Sequence, residues 1–248
     1  MSDDPPIPAA TLVVMRPAEG KPEILVVERA AGMAFAGGAI VFPGGRIDEA
    51  DRVLAAALDS PEDAAKVTAI RETIEESAIV AGVSGTESPA IGPLLQAALL
   101  GGSLLADVLD EHRLTLDLDA LTPFARWMPA FKQPRRFDTV FFLAPAPPGD
   151  WLPVPQPGEC QAAEWATASD LLDRIAAGDA RAIFPTKRNL ERLARFASIA
   201  EALADAGRYP LDTIVPWIER RGGEDFVCIP EDRGYPLTAE PVTTALRA

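Results

Sequence analysis

The sequence predicts an α+β fold with a helical insertion, on three observations. Short runs rich in β-branched residues alternate with glycine and proline turns, one long stretch from residue 60 repeats with helical period, and a second apolar block after residue 84 is broken up by glycine and proline. Thr11 to Met15 and Glu23 to Glu28 read as an opening hairpin, with Ala18-Glu19-Gly20-Lys21-Pro22 supplying the turn. Gly32, Gly37 and Gly38 punctuate a loop before a strand at Ala39 to Phe42, and Pro43-Gly44-Gly45 forces the next turn.

A helix is predicted from Ser60, which suits the N-cap, with Pro61 at the first helical position and Glu62 and Asp63 where the helix dipole favours negative charge. Ala64, Val67, Ile70, Ile74 and Ala78 recur at helical spacing and leave Arg71, Glu72, Glu75 and Glu76 on other faces. Residues 84–118 read as a helical insertion: Ala90 to Ala106 is apolar enough to resemble a membrane span, but Pro93, Gln96 and Gly101-Gly102 interrupt it and no basic flank anchors it, so two buried helices are predicted. Strands follow at Phe124 to Met128, Thr139 to Ala144 and Ala162 to Thr167, then helices at Ser169 to Ala177 and Thr186 to Ala206. Pro210, Pro216, Pro230 and Pro236, among other prolines after Arg208, predict a largely irregular extension, 208–248.

On length alone, 248 residues admit one domain with insertions or two; the order of elements is read as one domain, 1–248. A formal charge of −14 repels polyanions, which argues against nucleic acid as a partner. The two cysteines, Cys160 and Cys228, and the lone His112 have no metal-binding spacing, and the acidic, proline-rich start is unlike a secretion signal, so a cytoplasmic, non-membrane setting is expected.

Arg71-Glu72-Thr73-Ile74-Glu75-Glu76 places three carboxylates at i, i+3 and i+4 on neighbouring positions of one helical face. Charges so close repel and call for a compensating cation. Arg71 can pair across one turn with Glu75 and hold that carboxylate in one orientation, which puts it among the candidate catalytic residues. Upstream, the carbonyls of Phe42-Pro43-Gly44-Gly45 can approach an ion because glycine has no side chain in the way. Such an oxygen-rich set suits a hard divalent ion, magnesium or manganese.

Gly45 with Arg71-Glu72-Thr73-Ile74-Glu75-Glu76-Ser77-Ala78-Ile79 resembles the Nudix box of the Nudix hydrolase superfamily. Arg71 follows Gly45 by 26 positions where the family has 14, an insertion of 12 residues that lengthens a loop; Ala78 stands where the family has glycine, so the helix is expected to run on to Gly82. Residues 37–48, 134–143 and 185–190 are further similar to the acyl-coenzyme A diphosphatase-like branch. The resemblance implies an α/β/α sandwich around a mixed sheet, with Glu72, Glu75, Glu76 and the Gly44 carbonyl as metal ligands. It implies metal-assisted hydrolysis of a phosphoanhydride in a small nucleoside diphosphate-linked substrate, with coenzyme A or an acyl-coenzyme A preferred, and by analogy a homodimer.

The water needs a base, for which Glu72, Glu159 and Glu164 are candidates; Glu159 is chosen because it directly precedes the strand from Ala162. Lys132, Arg135 and Arg136 form the one dense basic patch, fit either to bind phosphates or to pair with Asp138 and other local acids. Arg29, closing the second strand, is a further candidate phosphate ligand or a plain strand-end charge. Three other readings stay open: hydrolysis of a dinucleotide or nucleotide sugar by the same kind of enzyme, a nucleotide-sensing domain that does not hydrolyse, and an isomerase using Cys160.

Overall fold

In a computed structural model that describes residues 5–33, 36–86, 88–129 and 136–245, the opening hairpin forms from β1 (Ile7–Arg16) and β2 (Glu23–Arg29). The two strands pair only at the closed end, Met15 with Ile24 and Arg16 with Glu23. They then splay, and two short strands fill the gap: β3 (Ile40–Val41) pairs with β2 and β4 (Gly44–Arg46) with Ala9–Thr11 of β1. The turn between β3 and β4 therefore lies inside the sheet, where Leu12 N–H donates to the Pro43 carbonyl at 3.0 Å.

The 12-residue insertion is not a plain surface loop. It folds as α1 (Glu49–Ala57), and a short 3-10 turn at Pro61–Asp63 then leads into α2 (Ala64–Ser77). Asp48 N–H donates to the Asp51 side chain at 3.0 Å, the carboxylate three residues on that closes a helix start. Val67, Ile70 and Ile74 of α2 are fully buried against the sheet, each such side chain contributing about 1.5–3 kcal/mol. The buried hydroxyls of Thr73 and Ser77 satisfy themselves on carbonyls one turn back.

The expected run-on to Gly82 does not occur. The helix stops at Ala78, which adopts φ 59 and ψ 13, the left-handed conformation that glycine usually supplies there. The methyl is accepted because the surrounding packing fixes it: Ala78 is 1% exposed, and α3 (Ile91–Leu100) crosses so closely that a β-carbon on Gly92 would collide with the Ala78 carbonyl. The insertion between β5 (Val83–Ser84) and β6 (Thr115–Leu116) is helical as expected, with α4 (Leu105–His112) following α3.

β7 (Thr122–Trp127), β8 (Phe137–Pro145) and β9 (Cys160–Thr167) complete the main sheet with β10 (Thr213–Ile214). Its path is β10-β7-β8-β1-β2-β3, with β4 on β1 and β9 on β2; β8 runs parallel to β1 and β9 antiparallel to β2, so the sheet is mixed. Alternate residues of β1 face opposite layers. Ala10, Leu12 and Val14 pack under α1–α4, while Val13 and Met15 pack under α5 (Ala168–Ala177), α6 (Phe184–Leu193) and α7 (Ile199–Ala206), which gives the α/β/α sandwich. The helix expected over 186–206 is two helices, because Ser198 turns its hydroxyl to the Glu201 N–H and caps a new start.

The segment 208–248, expected to be largely irregular, carries regular pairing instead. β11 (Trp217–Arg221), β12 (Glu224–Cys228) and β13 (Ala239–Pro241) form an antiparallel sheet, followed by α8 (Val242–Ala245). It is fastened to the body by buried arginines. Arg192 donates from Nε to Asp205 at 2.8 Å and from Nη1 to the Phe124 carbonyl at 3.1 Å, with its guanidinium over the Phe124 and Tyr209 rings. Arg188 bonds Glu191 and Glu240. Among the described residues no helix is long and apolar enough to cross a membrane.

Arg192 is 1% exposed, so removing its counter-charge leaves a cation that water cannot reach. Asp205→Ala is expected to cost about 3–5 kcal/mol in urea unfolding. A loss below about 1 kcal/mol would mean that the aromatic rings alone support the guanidinium.

Candidate active site

The β3–β4 turn and the second half of α2 face each other across the gap between β1 and β2. Gly44 N–H donates to Glu76 Oε2 at 3.1 Å, and a β-carbon on Gly45 would fall onto the Glu72 carboxylate. Glycine at residue 45 is what allows this approach, since any side chain there would displace the Glu72 carboxylate from its place beside the turn. Glu72 and Glu76 thus lie beside the turn, while the Glu75 carboxylate rests on Arg71.

Arg71 organises that face. Its Nε and Nη2 each reach Asp51 at 2.9 Å, its Nη1 reaches Glu75 at 2.9 Å and Glu72 at 3.0 Å, and Nη2 also donates to the Arg46 carbonyl at 3.4 Å. Asp51 is 2% exposed and takes a further bond from the Thr68 hydroxyl at 2.8 Å. Sequence reasoning paired Arg71 with Glu75 and missed Asp51. The available signal was the Asp48-x-x-Asp51 spacing of a helix start, which puts a carboxylate on the first turn of α1.

The charges are held at a cost. Burial, opposed by Arg71 and aided by Glu75 and Asp51, raises the Glu72 carboxyl to about 7. Burial and the facing Glu72 raise Glu76 to about 8, against Arg29 and the Gly44 N–H, and nearby Glu159 adds to the rise. Burial also raises Glu75. Although burial disfavours its charge, Asp51, Glu72 and Glu75 hold Arg71 well above the ordinary arginine range.

The other expected residues divide. Arg29 Nη1 lies 3.6 Å from Glu76 Oε1, so Arg29 belongs to the same centre, and its buried Nε has no hydrogen-bond partner among the described residues. Glu159 is exposed just before β9, and its charge reaches Glu76. Glu164 lies elsewhere: it stands opposite Val26, on the face covered by α5, and pairs with Arg174 at 2.7 Å. Lys132 and Arg135 lie outside the described residues, while the Arg136 carbonyl accepts from Ile7 N–H at 2.7 Å. Asp138, considered as a partner for Arg135 and Arg136, takes the Arg126 fork at 2.8 and 2.6 Å.

Cys160 is buried against Val27, Val41 and Ala163, and burial, with Glu76 and Glu159, pushes its thiol up to about 12; it packs as an apolar side chain rather than as a nucleophile. A cleft of about 670 Å³ lined by Arg16, Trp151 and Trp165 holds none of the candidate residues and lies toward the closed end of the hairpin.

The donor set suits a hard cation: carboxylate oxygens that repel one another beside a glycine turn. Among the described residues no three acidic, His or Cys side chains converge into a complete cage. A bound ion would therefore complete its shell with the Gly44 carbonyl, water and substrate phosphate oxygens, as magnesium does.

With no metal added, the folded chain keeps a proton on Glu76 up to about pH 8, whereas the unfolded chain releases it near 4.5. The folded state then binds the extra proton, so stability falls as pH rises from about 5 through 8. Glu76→Gln removes this loss. At pH 8.5 without metal its Tm is expected to exceed that of the unmodified chain by at least about 4 °C, since each kcal/mol moves a chain of this length by about 2–4 °C; equal Tm values across the range would sink this account of Glu76.

Comparison with known proteins adds a family to the geometry. No protein-family model matches the chain. A Caenorhabditis elegans protein carrying the name nudix hydrolase 7 is 28% identical over 126 residues, which cover 48% of this chain but only 38% of that protein. The crystal structure of a NUDIX hydrolase from Alicyclobacillus acidocaldarius superimposes with a TM-score of 0.69 at 34% identity, covering 82% of this chain and 97% of the other. With that much of both chains aligned, and with the glutamate helix packed against its glycine turn, this chain belongs to the Nudix hydrolase family.

Proposed function

We propose that the chain hydrolyses the phosphoanhydride bond of a nucleoside diphosphate-linked small molecule, using magnesium or manganese held by Glu72, Glu75, Glu76 and the Gly44 carbonyl. The observation that carries this reading is the meeting of Glu76 with the Gly44 N–H at 3.1 Å, which brings one helix carboxylate onto the glycine turn. When bound, the metal would supply charge stabilisation for the phosphate oxygens and lower the pKa of the attacking water. Arg71, whose donors are taken up by Asp51, Glu72, Glu75 and Arg46, acts as a positioning residue that keeps two of the glutamates in place.

Glu159 is the proposed base. It is exposed at the start of β9, close enough to Glu76 for their charges to interact, and so stands where a proton can pass to solvent. Arg29, whose Nε has no hydrogen-bond partner among the described residues, is proposed to bind a phosphate oxygen while it faces Glu76. Lys132, Arg135 and Arg136 are proposed to bind the further phosphates of the substrate. The similarity of 37–48, 134–143 and 185–190 to the acyl-coenzyme A diphosphatase-like branch makes coenzyme A or an acyl-coenzyme A the preferred substrate. Cleavage would give 3′,5′-ADP and the phosphopantetheine portion.

The test is phosphate-product analysis on acyl-coenzyme A, dinucleotides, nucleotide sugars and nucleoside triphosphates with each metal. Turnover of one class is expected, with Glu75→Gln and Glu76→Gln lowering kcat by about a hundredfold or more. Tight nucleotide binding without turnover of any class would replace hydrolysis by the sensing reading. Gly45→Ala, which drives a methyl onto Glu72, is expected to lose most activity while remaining folded by circular dichroism.

A further inference from the structure

The early stop of α2 leaves carbonyls without helical partners, and where their hydrogen bonds go links the insertion to the candidate base. An α-helix ending at Ala78 frees the Glu75, Glu76 and Ser77 carbonyls, and Ile79 N–H, the normal partner of Glu75, turns to the Ser77 hydroxyl at 3.2 Å. Each freed carbonyl is satisfied from outside the helix. Val154 N–H donates to Ser77 at 2.8 Å, Gln156 N–H to Glu76 at 3.2 Å, and the Gln96 side chain to Glu75 at 3.0 Å.

The strap that provides the two backbone donors is Leu152-Pro153-Val154-Pro155-Gln156-Pro157. Proline has no N–H, so after Leu152 the strap retains only the donors of Val154 and Gln156, and both go to α2. Alternate residues of an extended segment direct their N–H groups to one side, and the prolines limit its freedom before docking. Two residues beyond the strap is Glu159, whose neighbour Cys160 closes back on Gln156 at 3.0 Å.

Gln96 joins both sides. Its Nε2 also donates to the Val154 carbonyl at 2.8 Å, so one amide group, 5% exposed, spans from the carboxylate helix to the strap. We propose that Gln96 is a positioning residue: through these two hydrogen bonds to the Glu75 and Val154 carbonyls it fixes the strap, and with it Glu159, in register with Glu72, Glu75 and Glu76. The α3 helix of the insertion thereby acts on the reaction centre that it does not enter. This inference rests on the reading of Glu159 as the base.

The test replaces Gln96 by leucine, of similar volume and without donors. Hydrogen exchange of the metal-free protein is expected to show protection of the 152–160 amides falling about tenfold while 64–74 is unchanged. Steady-state kinetics are expected to show kcat lower by about ten- to a hundredfold with KM within about twofold, as for a displaced catalytic group. Unchanged strap protection in folded Gln96→Leu overturns the proposal, as does a freed strap with intact kcat, or a loss confined to KM. Should Gln96→Leu fail to fold, Pro153→Gly with Pro155→Gly loosens the strap without touching α3; the same fall in kcat supports the proposal and an intact kcat overturns it. Glu159→Gln at full rate sinks the base assignment by itself, and is distinguishable because backbone exchange over 152–160 does not depend on the Glu159 carboxylate acting as a base.

Discussion

Burying one guanidinium among three carboxylates and a backbone carbonyl is the arrangement on which the site depends. A planar group with five donors can serve Asp51, Glu72, Glu75 and the Arg46 carbonyl at once, and Arg71 does so. A lysine could not, because its three donors radiate from one nitrogen. The consequence is that α1, an insertion by sequence, is built into the site: Asp51 is the partner of the Nε side of Arg71, the side turned away from Glu75. The same chemistry recurs beneath the sheet, where Arg188 and Arg192 bind α6 to the C-terminal strands and α7.

Where the site sits follows from the splay of β1 and β2. The hairpin closes only at Met15–Ile24 and Arg16–Glu23, so further along each strand has an edge to offer, and β3 and β4 take those edges. A glycine turn is thereby inserted into the sheet within hydrogen-bond distance of α2. Both faces of β1 are covered, which fixes the register, since slipping by one residue would exchange the two buried faces.

The end of α2 shows how a backbone detail becomes a contact surface. Ala78 holds a left-handed conformation that costs an L-residue about 1–2 kcal/mol. In return, three carbonyls turn outward and accept bonds from α3 and from the proline strap. Continuing the helix to Gly82 would have satisfied these carbonyls internally and left the strap nothing to dock on.

The family, the glutamate helix, the glycine turn and most strands were legible in the sequence, because each is a local matter: periodicity, turn chemistry, and charges spaced one helical turn apart. The Arg71–Glu75 pair was legible for the same reason. Asp51 was not, since its role depends on α1 folding back over α2, and α1 lies in a stretch that motif spacing presents as a loop. The β-strands after residue 208 were hidden by prolines whose places at turns and strand ends only pairing reveals. The sequence by itself determined which groups could do the chemistry; the tertiary structure decided which of them meet, sending Glu164 under α5 and bringing Arg29 to Glu76. The physical reason is that charge compensation and orphan-carbonyl capping act through space, between segments whose separation along the chain carries no signal of their contact.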